Sequence, residues 1–208
     1  DDAAALFIAA MWTRGPRMSE LAIFGGAPAV AETLSKYPSL GERERQAVIE
    51  VIDSGCLSGF YGDWGAEFLG GPKVQAFEAA WSKQFACAHT VSVNSATSGL
   101  FAAVGAADVG PGDEVIVPPY TMSATAMAPL VYGGIPVFVD IEPETFCMDV
   151  KQVENAVDEH TKAIMVVNIF GLSADLDPLR KLADTHGIAL IEDNAQAPGA
   201  TYQGDLTG

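Results

Sequence analysis

Positive charge is scarce in this 208-residue chain: 11 Lys plus Arg face 27 Asp plus Glu, a formal net charge of −16. Nucleic-acid affinity rests on cations that neutralise phosphates. The few basic residues are scattered and form no stripe, which argues against RNA or DNA as a partner. Long apolar runs are also lacking. Ala3 to Met11 is far too short to span a bilayer, and Asp1-Asp2 is the wrong flank for a signal peptide. Cysteine is limited to Cys56, Cys87 and Cys147, an odd and widely spaced set that makes neither a disulfide framework nor a zinc pattern. A reducing cytoplasm is the expected setting. His89, His160 and His186 show no ligand spacing and read as surface or capping residues. There is no Gly-x-Gly-x-x-Gly after a strand and no Gly-Lys-Ser/Thr loop, so the common nucleotide-binding turns are missing.

What is present describes a folded α/β chain. Hydrophobic residues make up 49% and charged residues 18%, enough to build a core. The spacing of Val48, Ile49, Val51 and Ile52 predicts a helix over 41–54, stopped by Gly55. Leu57 to Leu69 is rich in Gly and aromatics and reads as an ordered loop. Pro72 to Phe85 reads as a helix with Pro72 in its first turn and Val74, Phe77 and Trp81 on one face. Strands are then predicted at 90–93, 114–117, 136–140, 162–170 and 188–192. Helices are predicted at 97–107, 122–131, 150–158 and 175–186. Gly110-Pro111-Gly112-Asp113 and Gly133-Gly134 are the turn signals between them. Strands alternating with helices imply a mainly parallel sheet with helices on both faces. No repeat or low-complexity linker marks a boundary inside 18–208.

Two strand ends stand out. Ile188 to Ile191 is a short apolar run that ends abruptly in Glu192, Asp193 and Asn194. In open α/β sheets ligands bind beyond the carboxyl ends of strands. An acid there can face a ligand, although a capping Asp in a solvated turn would have the same spacing. In the second stretch, Val91-Ser92-Val93 enters the turn Asn94-Ser95-Ala96-Thr97-Ser98-Gly99, and an Ala-rich helical pattern follows. Free N–H groups and hydroxyls at a helix start make a phosphate site. Phosphate donors at one strand end and an acid at another suit a cofactor with a phosphate at one end and a basic nitrogen at the other.

Five segments carry a resemblance. They are Gly-Gly-Pro-Lys-Val-Gln-Ala-Phe-Glu (70–78), Asn-Ser-Ala-Thr-Ser-Gly-Leu (94–100), Gly-Asp-Glu-Val-Ile-Val-Pro-Pro-Tyr-Thr (112–121), Pro-Val-Phe-Val-Asp-Ile (136–141) and Glu-Asp-Asn-Ala-Gln-Ala-Pro-Gly-Ala (192–200). In order and approximate spacing the chain resembles the DegT/DnrJ/EryC1/StrS sugar aminotransferases, from about Met18 to Gly208. The resemblance implies the large domain of the type I fold of pyridoxal 5'-phosphate enzymes, without the family's C-terminal small domain. Residues 1–17 precede it and read as an upstream or non-native extension.

The resemblance also implies roles. Asp193 would keep the cofactor's pyridine nitrogen protonated, so that the ring acts as an electron sink. Gln196 would contact the ring or its hydroxyl; otherwise it is a helix-start side chain meeting water. Ala96 and Thr97 match the positions that hold the phosphate by backbone N–H and hydroxyl, and Thr97 could equally be an N-cap. Met122 stands where the family usually has an aromatic residue stacked on the ring. A thioether can lie on a π face, and a core methionine is the competing reading. Asn168, near the end of strand 162–170, could face the site, although a strand-end backbone contact is the safer expectation.

The expected departure is an absence. Lys36, Lys73, Lys83, Lys151, Lys162 and Lys181 do not match the family's catalytic Schiff-base lysine, which is expected downstream of Gly208. No catalytic residue is therefore assigned within these 208 residues, and the chain reads as an N-terminal fragment, inactive alone. The implied activity of the whole protein is transfer of an amino group from glutamate or glutamine to a nucleotide-linked keto sugar, in a homodimer. The alternatives are a dehydratase of the same family, with histidine in place of the lysine, and a non-catalytic fold that binds a cofactor or a partner.

Overall fold

The computed structural model describes residues 21–33, 35–57 and 68–208. The extension at 1–17 and most of the aromatic loop over 57–69 lie outside the described residues. The chain divides into two compact units, 1–55 and 56–208.

In the first unit a single 3-10 turn, Ala22–Phe24, precedes helix α1, Glu42–Ser54. Glu44 accepts a hydrogen bond from the Gly41 N–H at 2.7 Å, the half of a capping box that a glycine can make. Gly55 closes the helix with a left-handed φ of 70°, as its sequence predicts.

The second unit begins with helix α2, Pro72–Phe85, with Pro72 at its first position. Phe77, Trp81 and Phe85 stack along one face, with ring centroids 5.6 and 4.4 Å apart. The strand predicted at 90–93 does not join a ladder. Its residues carry no strand assignment. The Ser92 N–H and hydroxyl instead donate to the Glu78 carboxylate of α2 at 2.7 and 2.8 Å. A side chain thus takes the donor that a strand partner would need. Helix α3, Ala96–Ala106, follows.

Four parallel strands form the sheet: β1 (Glu114–Val117), β2 (Ile135–Phe138), β3 (Thr161–Val167) and β4 (Ala189–Asp193), in the order β2-β1-β3-β4. The connecting helices are α4 (Ala124–Val131), α5 (Val150–Ala156) and α6 (Leu176–His186). From β1 the chain steps outward to β2 and then crosses back over β1 to β3. Right-handed connections in opposite directions require helices on opposite faces. The core obeys this. Val115, Val117, Ala163, Met165 and Ile191 pack with Leu100 and Val104 of α3 and Ala128 of α4. Ile116, Ile164 and Val166 pack with Val153 of α5 and with Leu179 and Ala183 of α6. Alternate residues of one strand therefore feed two cores. Each fully buried branched side chain contributes about 1.5–3 kcal/mol.

Edge strand β2 carries Pro136 opposite Val115, and its residues Ile135 and Phe138 are exposed. β3 ends at Val167, earlier than its apolar run predicts. Phe170 and Gly171 both take left-handed φ values, 55° and 85°, and turn the chain. Helix α4 starts at Ala124 because residues 121–123 form a turn, with the Thr125 N–H on the Met122 carbonyl at 3.1 Å. A short hairpin not anticipated from the sequence, β5 (Thr201–Tyr202) with β6 (Asp205–Leu206), follows β4. The Tyr202 hydroxyl donates to Asp175 at 2.6 Å and the Gln203 amide to Asp177 at 2.6 Å, which ties the hairpin to the start of α6.

Candidate active site

Parallel pairing sets the level of the strand ends. Val167 of β3 lies opposite Asp193 of β4, so the apolar run 188–191 delivers Asp193 to the carboxyl edge of the sheet. Asp193 is 8% exposed. A carboxylate at that depth needs partners. Its Oδ1 accepts from the Ala195 N–H at 3.1 Å, and its Oδ2 accepts from the Thr125 hydroxyl of α4 at a long 3.4 Å. Thr125 is fully buried and pairs with the Thr121 hydroxyl at 3.0 Å. Asp193 is thus held on one face of the sheet, where Ile191 also points.

Helix α3 presents its N-terminus to the same region. Ser95, not Thr97, is the N-cap: its hydroxyl oxygen accepts from the Ser98 N–H at 3.2 Å, and its carbonyl accepts from the Gly99 N–H at 3.1 Å. Ser98 in turn donates to Asn94 at 2.6 Å. With the third and fourth amides of the helix occupied, the Ala96 and Thr97 amides face outward, and both residues are exposed. This is the end of a helix that attracts anions.

A cleft of about 540 Å³ joins the two features. It is lined by Phe77 and Trp81 of α2, by the 90–96 segment and by Ile191 to Ala195. The residues fit a cofactor with an anionic end and a basic ring nitrogen: open helix amides on one side, a buried carboxylate on the other, and apolar and aromatic side chains between.

Of the expected site residues Ala96 and Asp193 line the cleft, whereas Thr97, Met122 and Gln196 fall outside that lining. Met122 is 66% exposed, in the turn before α4, so the core reading of that residue does not hold. Gln196 is also exposed. It sits in a turn after β4, not at a helix start, with the Ala197 N–H bonded to the Asn194 carbonyl at 3.0 Å.

Sequence reasoning missed the hydrogen-bonded cluster behind Asp193. The Asn168 N–H donates to the Asp193 carbonyl at 3.0 Å, the strand-end backbone contact expected there. Its side chain does more: it bonds Glu192, Asn194 and the Ala174 N–H. Asn194 then donates to the Thr207 carbonyl at 2.8 Å, and the Gly208 N–H donates to Glu192 at 3.1 Å. A polar residue ending an apolar strand was the one available signal.

Comparison with known proteins identifies the family. The family model of the DegT/DnrJ/EryC1/StrS aminotransferase family matches residues 38–208. The spore coat polysaccharide biosynthesis protein SpsC of Bacillus subtilis (strain 168) is 40% identical over 171 residues, which are 82% of this chain and 41% of SpsC. The L-glutamine:2-deoxy-scyllo-inosose aminotransferase of Streptomyces kanamyceticus is 38% identical over 196 residues, 91% of this chain and 44% of that enzyme. Among solved structures, S. venezuelae DesV in complex with a ketimine intermediate superposes with a TM-score of 0.70 at 37% identity, covering 79% of this chain and 41% of DesV. The E. coli GDP-4-keto-6-deoxy-D-mannose-3-dehydratase with bound hydrated PLP gives 0.71 at 28% identity, covering 82% of this chain and 42% of the dehydratase. The chain spans about two fifths of the length of these relatives. With its parallel sheet, its open helix start and its strand-end carboxylate, the chain belongs to the DegT/DnrJ/EryC1/StrS aminotransferase family, whose cofactor is pyridoxal 5'-phosphate.

Proposed function

We propose that this chain is the cofactor-binding part of a pyridoxal-phosphate-dependent aminotransferase acting on a nucleotide-linked keto sugar, with glutamate or glutamine as amino donor. The observation that carries the reading is Asp193, a buried carboxylate at the carboxyl end of β4, in the same cleft as the open start of α3.

When bound, pyridoxal phosphate supplies an electron sink for the carbanion formed at the amino-bearing carbon. The chain's own residues bind and orient it. The Ala96 and Thr97 amides, with the Thr97 hydroxyl, take the phosphate. Asp193 keeps a proton on the ring nitrogen, and its low exposure strengthens that pairing by excluding water. By the resemblance Gln196 would meet the ring hydroxyl and Met122 a ring face, although both lie outside the lining of the cleft. None of the six lysines of this chain matches the position of the lysine that would attach the cofactor. The whole protein is expected to be a cytoplasmic homodimer; no helix among the described residues is long and apolar enough to cross a membrane.

The likeness to a dehydratase favours a second reading, in which the same cofactor site serves removal of a sugar hydroxyl. The two separate on product. The protein carrying this chain, given nucleotide-linked keto sugars and glutamate or glutamine, should yield an amino sugar by mass spectrometry. A deoxy sugar would select the dehydratase. Asp193→Asn should weaken cofactor binding and lower turnover at least about a hundredfold, the loss of a charge-assisted pairing in a dry site. Unchanged binding and turnover in that variant would sink both readings of Asp193.

A further inference from the structure

We infer that Asn168 is a positioning residue for Asp193: it clamps the residues on either side of that aspartate and so fixes where its carboxylate stands. The inference rests on the reading of Asp193 as the partner of the cofactor's ring nitrogen.

Four bonds converge on Asn168, which is fully buried at the end of β3. Its backbone N–H donates to the Asp193 carbonyl at 3.0 Å. Its side-chain Nδ2 donates to Glu192 Oε1 at 2.5 Å and to Asn194 Oδ1 at 3.0 Å. Its Oδ1 accepts from the Ala174 N–H at 2.9 Å, just ahead of α6. The amide can sit only this way round, since the reverse orientation would set an oxygen against two oxygens and an N–H against an N–H.

The arrangement is directional. Side chains alternate along β4, so Glu192 projects to the face opposite Asp193. Asn168 therefore holds the strand end through its neighbours and its backbone, leaving the Asp193 carboxylate to Thr125 and the cleft. The second donor to Glu192 Oε1 is the Gly208 N–H, and Asn194 is fastened again by Thr207. Every neighbour of Asp193 that could swing the strand end is tied, and the fully buried member of that network is Asn168. A carboxylate that must meet one ring nitrogen needs placement within about half an ångström.

The test uses the protein carrying this chain in three forms besides the unaltered one: Asn168→Asp, Glu192→Gln, and both together. Asn168→Asp sets a carboxylate against Glu192. The double substitution restores the donor–acceptor pair between positions 168 and 192 with the roles exchanged, while the contacts to Asn194 and Gly208 stay mismatched. Three quantities are read: pyridoxal phosphate affinity by fluorescence titration, the visible circular dichroism of the bound cofactor, and the thermal midpoint. The dichroism reports ring orientation, which a residue serving stability alone would not move.

Asn168→Asp is expected to weaken affinity roughly tenfold, the usual consequence of an unmatched buried polar group, and to change the dichroism. The double variant should recover part of both changes relative to Asn168→Asp, by the coupling logic of paired substitutions. If Asn168→Asp does not fold, Asn168→Ser, which loses the grip without adding charge, should show the same two changes. A lower thermal midpoint with unchanged affinity and dichroism in a folded variant would reduce Asn168 to a stability role and overturn the inference. Failure of the unaltered protein to bind pyridoxal phosphate would overturn the reading of Asp193 and this inference with it.

Discussion

Thr125 is the side chain that reaches Asp193 directly. It is fully buried, its hydroxyl donates to the carboxylate at 3.4 Å, and it shares a second bond with Thr121. Thr125→Val keeps the shape and removes both bonds. One length is at the weak end of hydrogen bonding, so the expected loss is about 1–2 kcal/mol in urea unfolding, with a few-fold loss of cofactor affinity alongside. Legibility at this scale is divided. Asp193 could be singled out because the apolar run before it announces a strand end. The second role of Asn168 could not, because its side-chain partners Glu192 and Asn194 lie 24 and 26 positions away and meet it only through the register of β3 with β4. The competing reading of Thr97 as the N-cap of α3 does not hold, because Ser95 takes that place; both are capping types, and spacing alone does not choose between them.

At the scale of elements, the turns decide. Helices α1 and α2 and strand β1 fall where the pattern puts them, because Gly55, Pro72 and the 110–113 turn mark their limits. The strand expected at 90–93 joins no ladder, and the Glu78 carboxylate takes both donors of Ser92, a contact no periodicity carries. The turn before β3 gives a pH prediction. Asp158 accepts from the His160 N–H at 2.8 Å, and that bond, with smaller help from Thr161, holds its carboxyl below the ordinary aspartate value. A carboxyl lowered in the folded state binds its proton more readily when unfolded. It therefore stabilises the fold above the unfolded value, near pH 3.9, and that contribution is lost as pH falls through the lower folded value. Asp158→Asn should be less stable than the parent at neutral pH and should flatten the dependence of stability on pH below about pH 4, as read by denaturant melts across that range.

On the scale of the whole molecule, the parallel architecture was legible because strands and helices alternate and their turns are rich in Gly and Pro. Strand order was not, since it depends on which side each crossover takes; the step from β2 back to β3 becomes visible only in the structure. The family segments at 94–100 and 192–200 meet at one cleft, as their resemblance implies. A net charge of −16 disfavours anions at long range, so local amide donors at α3 must do the attracting.

The rim of the sheet carries its own safeguard. In a parallel strand the N–H groups of alternate residues point to the same side. Ile135 and Val139 both donate inward, to Asp113 and Val117 beside β1. Residue 136 therefore faces away from the sheet, and there the chain has placed Pro136, which has no hydrogen to offer. A stray strand approaching this apolar edge finds a gap where a ladder should begin. Pro136→Val should leave the melting temperature within a few degrees while raising concentration-dependent aggregation, measured by light scattering; equal scattering in the two proteins would show that the proline guards nothing.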